Sequence, residues 1–364
     1  MGFPTNLAGI TPEWLTSCLR DGGALQQARV VSIDVRPVGL KGFTGEISRL
    51  LITYDHYEAG TPPSMVAKFA ASDPDVRAVV HSMGFYEREV GFYQKLAGRT
   101  PAHTPRCYFS AVDLESGDCL LILEDLSAMR NLAWGRMSVQ EAELVVREVA
   151  ELHAAWWEDP VLRQASWLRL KGFASIDQAT AAFKQYWEPF LTKLSIPVTD
   201  EILEVGCLAD RYLSTVYESV YSKPPLTLTH NDVQGENLFI SDDERPSVVM
   251  IDWQLTTPAW GALDLASSLA CQLEPNHRRS SEKQLIETYH AALTARGIGG
   301  YSLERCQQDY RTSLLIPATR LATAVGWDSR IKATPGAFWD EVFPRIAEAI
   351  GDLRVGEVLE HQFG

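Results

Sequence analysis

Alternation of apolar and polar residues dominates the first third of the chain and then gives way to a helical period. Residues 30–39 and 46–54 each alternate and read as strands. A third strand, Met65-Val66-Ala67-Lys68-Phe69, follows the turn at Pro62-Pro63. Between the first two lies Gly39-Leu40-Lys41-Gly42-Phe43-Thr44-Gly45, a turn with glycine at every third position. Thr11-Pro12-Glu13-Trp14-Leu15 predicts a helix over about 11–22, with Thr11 as N-cap and Pro12 at the first helical position. One main helix is predicted over 75–96, followed by strands over 106–109 and 120–123.

The period then changes. Ser138-x-x-Glu141 is a capping box opening a helix in which Val145, Val149, Leu152 and Trp156 share a face. Further helices are predicted over 176–191, 200–221, 264–273, 281–296, 302–324 and 337–352. A β-hairpin interrupts them: Leu238-Phe239-Ile240, a polar turn over 241–246, and a β-branched return over 248–251. The pattern predicts an α+β chain of two lobes. Residues 1–124 carry an antiparallel sheet with one main helix, and residues 125–364 are mostly helical.

Composition narrows the function classes. A chain of 364 residues suits two domains, and a net charge of −14 opposes a nucleic-acid surface, which needs basic residues. Six dispersed cysteines without a C-x-x-C pair suit a reducing compartment and argue against structural zinc. Residues 1–20 lack a basic start followed by an apolar run, Asn6 stands where myristoylation needs Ser or Thr, and no uncharged apolar run approaches a membrane span. The expectation is a cytoplasmic protein with no membrane or nucleic-acid partner, monomer or dimer being left open.

The chemistry gathers in His230-Asn231-Asp232-Val233-Gln234-Gly235-Glu236-Asn237 and Ile251-Asp252-Trp253-Gln254. Asp232 suits a carboxylate that orients a hydroxyl nucleophile, and Asn237 and Asp252 suit oxygen ligands for magnesium beside nucleotide phosphates. The hairpin brings the last two close despite their separation in sequence. Lys68 is out of place in an apolar strand unless it faces phosphates, the plainer alternative being an edge strand with the ammonium in water. A buried lysine needs a carboxylate, and helical phase puts Glu89, rather than Glu87, on the inward side with Phe85, Phe92 and Tyr93. Gly42 and Gly45 would let backbone N–H groups approach phosphates. The connector around Glu124 and Leu126 would offer backbone groups to a purine base. His230 reads as a structural partner of the loop backbone, Asp264 as an N-cap that could also brace the loop, and Trp156 and Trp157 as packing residues.

Taken in order, these residues resemble the aminoglycoside phosphotransferase and choline kinase superfamily, which has the protein-kinase-like fold. Thr11-Pro12-Glu13-Trp14-Leu15, Glu87-Arg88-Glu89-Val90-Gly91-Phe92-Tyr93 and Asp252-Trp253-Gln254 resemble its ecdysteroid-kinase-like branch. The resemblance spans about residues 10–330. It implies Lys68 on the α- and β-phosphates of ATP, Glu89 holding Lys68, Asp232 as the catalytic aspartate, and Asn237 and Asp252 on Mg2+. Asn231 departs from the superfamily's usual glycine, and the Asp-Trp-Gln run lacks the glycine of protein kinases. Eleven residues, 253–263, separate Asp252 from Asp264, too few for an activation segment. A small-molecule substrate is therefore expected.

The expected function is ATP- and magnesium-dependent phosphorylation of a hydroxyl on a small molecule, a hydrophobic alcohol or hydroxyacyl compound. A cationic acceptor of aminoglycoside or choline type is the alternative. Two further readings are a catalytically silent nucleotide-binding module, which only an activity assay separates, and a phosphate-ester hydrolase built on His230 and Asp232, which lacks the ligands of a two-metal site. The choice between ATP and GTP stays open.

Overall fold

Thr11 opens the first helix as its hydroxyl dictates: Oγ1 accepts the Trp14 N–H at 3.2 Å, and Pro12 needs no hydrogen bond where it stands. In the computed structural model, which describes residues 2–38, 44–171, 175–331 and 336–364, this helix is α1 (Pro12–Asp21). It is followed by β1 (Val30–Pro37), β2 (Gly45–Tyr54), β3 (Ser64–Ala70), α2 (Pro74–Ser82), α3 (Phe85–Lys95), β4 (Cys107–Val112) and β5 (Cys119–Glu124). The strands form one antiparallel sheet in the order β1-β2-β3-β5-β4. Leu15 and Leu19 of α1 join Leu50, Met65, Ala67, Phe69, Leu120 and Ile122 in a buried core. Strand alternation sends Lys68 to the opposite face, and β3 lies in the middle of the sheet, so Lys68 is not on an edge strand.

Gly45 starts β2 where only glycine fits, because a Cβ there would come within 2.2 Å of the Phe69 carbonyl oxygen. Gly39 and Gly42 lie outside the described residues. The single helix expected over 75–96 is two helices. Gly84 adopts φ 69 between them, a left-handed angle that ends one helix and starts the next.

The chain divides into two compact units, Met1–Gly98 with Thr104–Met129, and Arg99–His103 with Arg130–Gly364. The second contains β6 (Arg130–Asn131), α4 (Val139–Ala155), α5 (Pro160–Gln164), α6 (Ile176–Lys193), α7 (Asp200–Ser222), β7 (Thr227–Thr229), β8 (Leu238–Ile240), β9 (Val248–Met250) and β10 (Thr257–Ala259). Helices α8 (Ala262–Gln272), α9 (Pro275–Ala295), α10 (Leu303–Ser313), α11 (Leu315–Ile331), α12 (Gly336–Asp352) and α13 (Val355–Phe363) complete it. The capping box forms reciprocally: Glu141 N–H donates to Ser138 Oγ at 3.2 Å, and Ser138 N–H to Glu141 Oε2 at 2.7 Å. It starts α4 so that Val145, Val149 and Leu152 are wholly buried, as is Trp156 beyond its end.

Three further helix expectations need correction. The helix expected over 302–324 is α10 plus α11, because Pro317 has no N–H for the carbonyl four residues back and the chain breaks at Leu314. Helix α9 begins six residues before the expected start at 281, with Glu274 as N-cap and Pro275 first, ahead of a polar turn that lacks a helical apolar stripe. Helix α8 begins at Ala262, so Asp264 lies within its first turn rather than capping it. Helices α5 and α13 and the short strands β6 and β10 carry too little periodicity to be read from sequence. All six cysteines are free thiols. Among the described residues no helix is long and apolar enough to cross a membrane.

Candidate active site

In the first unit, Lys68 rises from β3 between Ile47 of β2 and Leu121 of β5. Its ammonium donates to both carboxylate oxygens of Glu89, at 2.9 Å to Oε1 and 2.7 Å to Oε2. Lys68 is 8% exposed and Glu89 2%. Burial makes a lone charge here prohibitive, so each ion requires the other. Gly84 sets the start of α3 and hence the phase that turns Glu89, with Phe85 and Phe92, inward; Glu87 stays half-buried. Nearby, the Tyr86 hydroxyl donates to the Thr44 carbonyl at 2.7 Å and accepts the Ala71 N–H at 3.0 Å, tying α3 to the strand ends beside Gly45.

The connector is more committed than its sequence suggests. Glu124 N–H donates to the Arg106 carbonyl at 2.8 Å, and its carboxylate accepts the Arg106 N–H at 3.0 Å. Leu126 is buried, and its carbonyl accepts the Met129 N–H at 2.8 Å.

In the second unit, the hairpin pairs Leu238 with Met250 and Ile240 with Val248, and the Ile251 N–H extends the ladder to the Asn237 carbonyl at 3.0 Å. This pairing sets Asn237 beside the segment bearing Asp252. Asn237 is 6% exposed and turns its amide nitrogen onto Asp232, at 2.9 Å to Oδ2 and 3.0 Å to the backbone oxygen. Gln234 Nε2 donates to the same Oδ2 at 3.2 Å. Gln254 Nε2 donates to Asp252 Oδ2 at 3.1 Å, and Asp252 sits at φ 65, a costly angle for a non-glycine residue. Burial first, and the Asp252 charge second, raise the Asp232 carboxyl from 3.8 to about 7.

Oxygen donors of this kind fit a hard cation. With its nitrogen committed to Asp232, Asn237 offers its amide oxygen, and Asp252 offers carboxylate oxygen, the donor chemistry magnesium prefers. Among the described residues no three His, Cys, Asp or Glu side chains gather into a metal cage. A metal here would need water or phosphate oxygens as well.

The loop is braced from behind. His230 is fully buried, its Nε2 lies 2.8 Å from the Ile251 carbonyl, and its ring packs on Trp253 at 4.6 Å. Burial holds its pKa below the ordinary histidine value. Asp264 accepts the backbone N–H groups of His230 at 2.8 Å and Asn231 at 2.7 Å, while His153 Nε2 lies 3.1 Å away. Asp264 is thus a loop brace. Trp156 donates to Thr100 Oγ1 at 3.1 Å, and Trp157 packs on Tyr301 at 5.0 Å.

Sequence reasoning missed Gln234, Tyr221 and Arg320. Arg320 Nη1 donates to the Asn231 carbonyl at 3.1 Å, and its Coulombic reach extends to Asp232. One signal was available: Arg320 is the single charge between Leu314 and Trp327.

The model of the ecdysteroid kinase-like family matches residues 39–297, well over half of the chain. No curated protein matches it. Among solved structures, a protein described as an aminoglycoside phosphotransferase from Ralstonia eutropha JMP134 is 15% identical, with 96% of this chain and 98% of that one covered at a TM-score of 0.55. Choline kinase from Cryptosporidium parvum is 11% identical, with the same coverage and a TM-score of 0.56. The GDP complex of aminoglycoside 2'-phosphotransferase-IIIa is 12% identical, with 90% and 93% covered and a TM-score of 0.53. At such identities the likeness is one of fold, the protein-kinase-like α+β fold.

Proposed function

We propose that this chain, which belongs to the ecdysteroid kinase-like family, is an ATP- and magnesium-dependent phosphotransferase whose acceptor is a hydroxyl group on a small molecule. The observation that carries this reading is the Asn237 amide. By donating to Asp232 at 2.9 Å it fixes the carboxylate and leaves its own oxygen for a hard cation, on a residue whose backbone pairs with Ile251, next in sequence to Asp252. Magnesium and ATP, when bound, supply the phosphoryl group and neutralise its charge.

The remaining work falls to the chain's own residues. Asp232 accepts the hydrogen bond of the acceptor hydroxyl, orients it, and takes its proton late in transfer. Lys68, held by Glu89, presents its ammonium to the α- and β-phosphates, with Gly45 allowing close backbone approach. The Glu124–Leu126 connector lends backbone groups to the base. On this reading residues 1–124 bind nucleotide and residues 125–364 carry catalysis and the acceptor, in the reducing cytoplasm. His230 is given no base role: its Nε2–H donates to the Ile251 carbonyl, and the lone pair left on Nδ1 is buried.

Family membership favours a hydrophobic alcohol or hydroxyacyl acceptor. Choline and aminoglycosides, named for the structural neighbours, make a cationic acceptor the second reading, which the net charge of −14 also favours. A product-detecting screen with Mg-ATP over alcohols, amino sugars, choline and hydroxyacyl thioesters decides between them. GTP belongs in the screen because one neighbour was captured with GDP. Phosphorylated alcohol upholds the first reading, and phosphorylated choline or amino sugar the second. Nucleotide binding without any product, in folded protein, would favour a silent nucleotide-binding module instead.

A further inference from the structure

Asn231 is held by more bonds than its backbone alone requires. It sits at φ 67, an angle glycine adopts freely. Its N–H donates to Asp264 at 2.7 Å, and its carbonyl accepts from Arg320 Nη1 at 3.1 Å. The side chain is committed too. Oδ1 accepts from Arg320 Nη1 at 2.9 Å and from the Tyr221 hydroxyl at 3.3 Å, while Nδ2 donates to the Leu255 carbonyl at 3.1 Å. Arg320 Nη2 closes the ring by donating to Tyr221 Oη at 2.6 Å.

Five segments therefore meet at one residue: α7 through Tyr221, α11 through Arg320, α8 through Asp264, the loop that continues into Asp232, and the stretch just beyond Asp252. Leu255 lies three residues after Asp252, and Asn231 immediately precedes Asp232. The Nδ2 bond to Leu255 thus spans from one acid-bearing backbone to the other. Glycine would satisfy the backbone angle but remove this bond, leaving the His230–Ile251 contact at 2.8 Å to join the same two stretches. Arg320 contributes a planar fork, one nitrogen serving both oxygens of Asn231 and the other holding Tyr221, which a flexible point charge does less well.

We propose that Asn231, Tyr221 and Arg320 form a positioning clamp, anchored by Arg320, that fixes the separation of Asp232 and Asp252 for phosphoryl transfer. This rests on the transfer role given to those two acids. None of the three needs to touch nucleotide or acceptor. A misplacement of about 1 Å at a reacting group costs on the order of 10²-fold in rate, so spacing alone can carry a large effect.

Asn231→Gly is the discriminating variant. If position 231 serves only to accommodate the turn, glycine keeps full turnover. The clamp instead predicts kcat lower by roughly 10²-fold, with KM for Mg-ATP within about threefold of wild type. Arg320→Met should match it, and Arg320→Lys should recover part of the loss by reaching one Asn231 oxygen. The double variant Asn231→Gly/Arg320→Met should be no slower than either single one, because both break the same unit. Wild-type kcat in Asn231→Gly overturns the proposal, as does a loss in Arg320→Met confined to KM for the acceptor. If wild type phosphorylates none of the screened compounds, the functional reading has failed, and the clamp is then judged from crystal structures of wild type and Asn231→Gly. An Asp232–Asp252 separation changed by about 1 Å or more upholds it, and an unchanged one overturns it.

Discussion

In the first unit a lysine from the central strand meets a glutamate from α3 through both carboxylate oxygens, at 2.9 and 2.7 Å, and both ions are almost wholly buried. In the second unit Asp232 meets two neutral amides, from Asn237 and Gln234, and feels the charge of a second acid, Asp252. The first arrangement balances its own charge. The second buries an acid beside another acid, and burial first, with the Asp252 charge second, raises the Asp232 carboxyl to about 7. A balanced pair sets its geometry before any ligand arrives. A cluster of like charges gains most from a cation, so ligand binding and electrostatic relief coincide there.

The largest effect that would sharpen this contrast is in turnover. Asp232→Asn keeps the shape of the acidic cluster and should lower kcat by roughly 10³-fold while leaving nucleotide affinity within about threefold. Parallel loss of both, measured by product formation and calorimetric titration, would contradict the role given to Asp232. Next comes the balanced pair. Lys68→Met removes the cation that faces the buried Glu89 carboxylate and should cost roughly 3 kcal/mol of stability, and Lys68→Met/Glu89→Leu should restore most of it without restoring activity. Denaturant melts of the two variants test this, and a double variant no more stable than the single one would show that the pair is not a self-contained unit.

A smaller effect concerns magnesium. Gln254→Leu removes the donor to Asp252 and should raise the Mg2+ concentration for half-maximal activity by about tenfold. Titration of Mg2+ at saturating nucleotide reads it directly, an unchanged midpoint counting against Asp252 as a ligand. The smallest effect is on stability against pH in metal-free protein. Between 3.8 and about 7, folded Asp232 retains a proton that the unfolded chain has released, so stability falls as pH rises through that window. Asp232→Asn removes this decline. Its Tm should exceed that of wild type above pH 7 and converge with it near pH 4; a Tm difference constant across the range would mean that Asp232 is not raised.

Much of both regions could be read from the chain because the signals are local. The helical phase of Phe85, Glu89 and Phe92 points Glu89 inward, and the turn between β8 and β9 brings Asn237 to Asp252. Where the reading went astray, a single backbone requirement had overridden periodicity. Gly84 breaks a helix whose apolar positions continue through it, and Pro317 does the same between α10 and α11. For Asp264 the cap fails and the brace holds, on partners more than thirty residues earlier in the chain. The Asn231 clamp was beyond reach for the same reason. Arg320 lies 89 residues from Asn231 in sequence, and only the fold brings it there.

The Asp264 brace has a consequence for motion. A carboxylate from the first turn of α8 takes both amide protons of the residues preceding Asp232, at 2.8 and 2.7 Å, in a wholly buried setting. Those two amides should exchange with deuterated solvent only when the surrounding helices open together, on the timescale of global unfolding. On the proposed function, whatever rearranges during a catalytic cycle must then do so around a stationary loop, so acceptors of different shape would meet the same fixed oxygen and selectivity would be left to the helices that surround it.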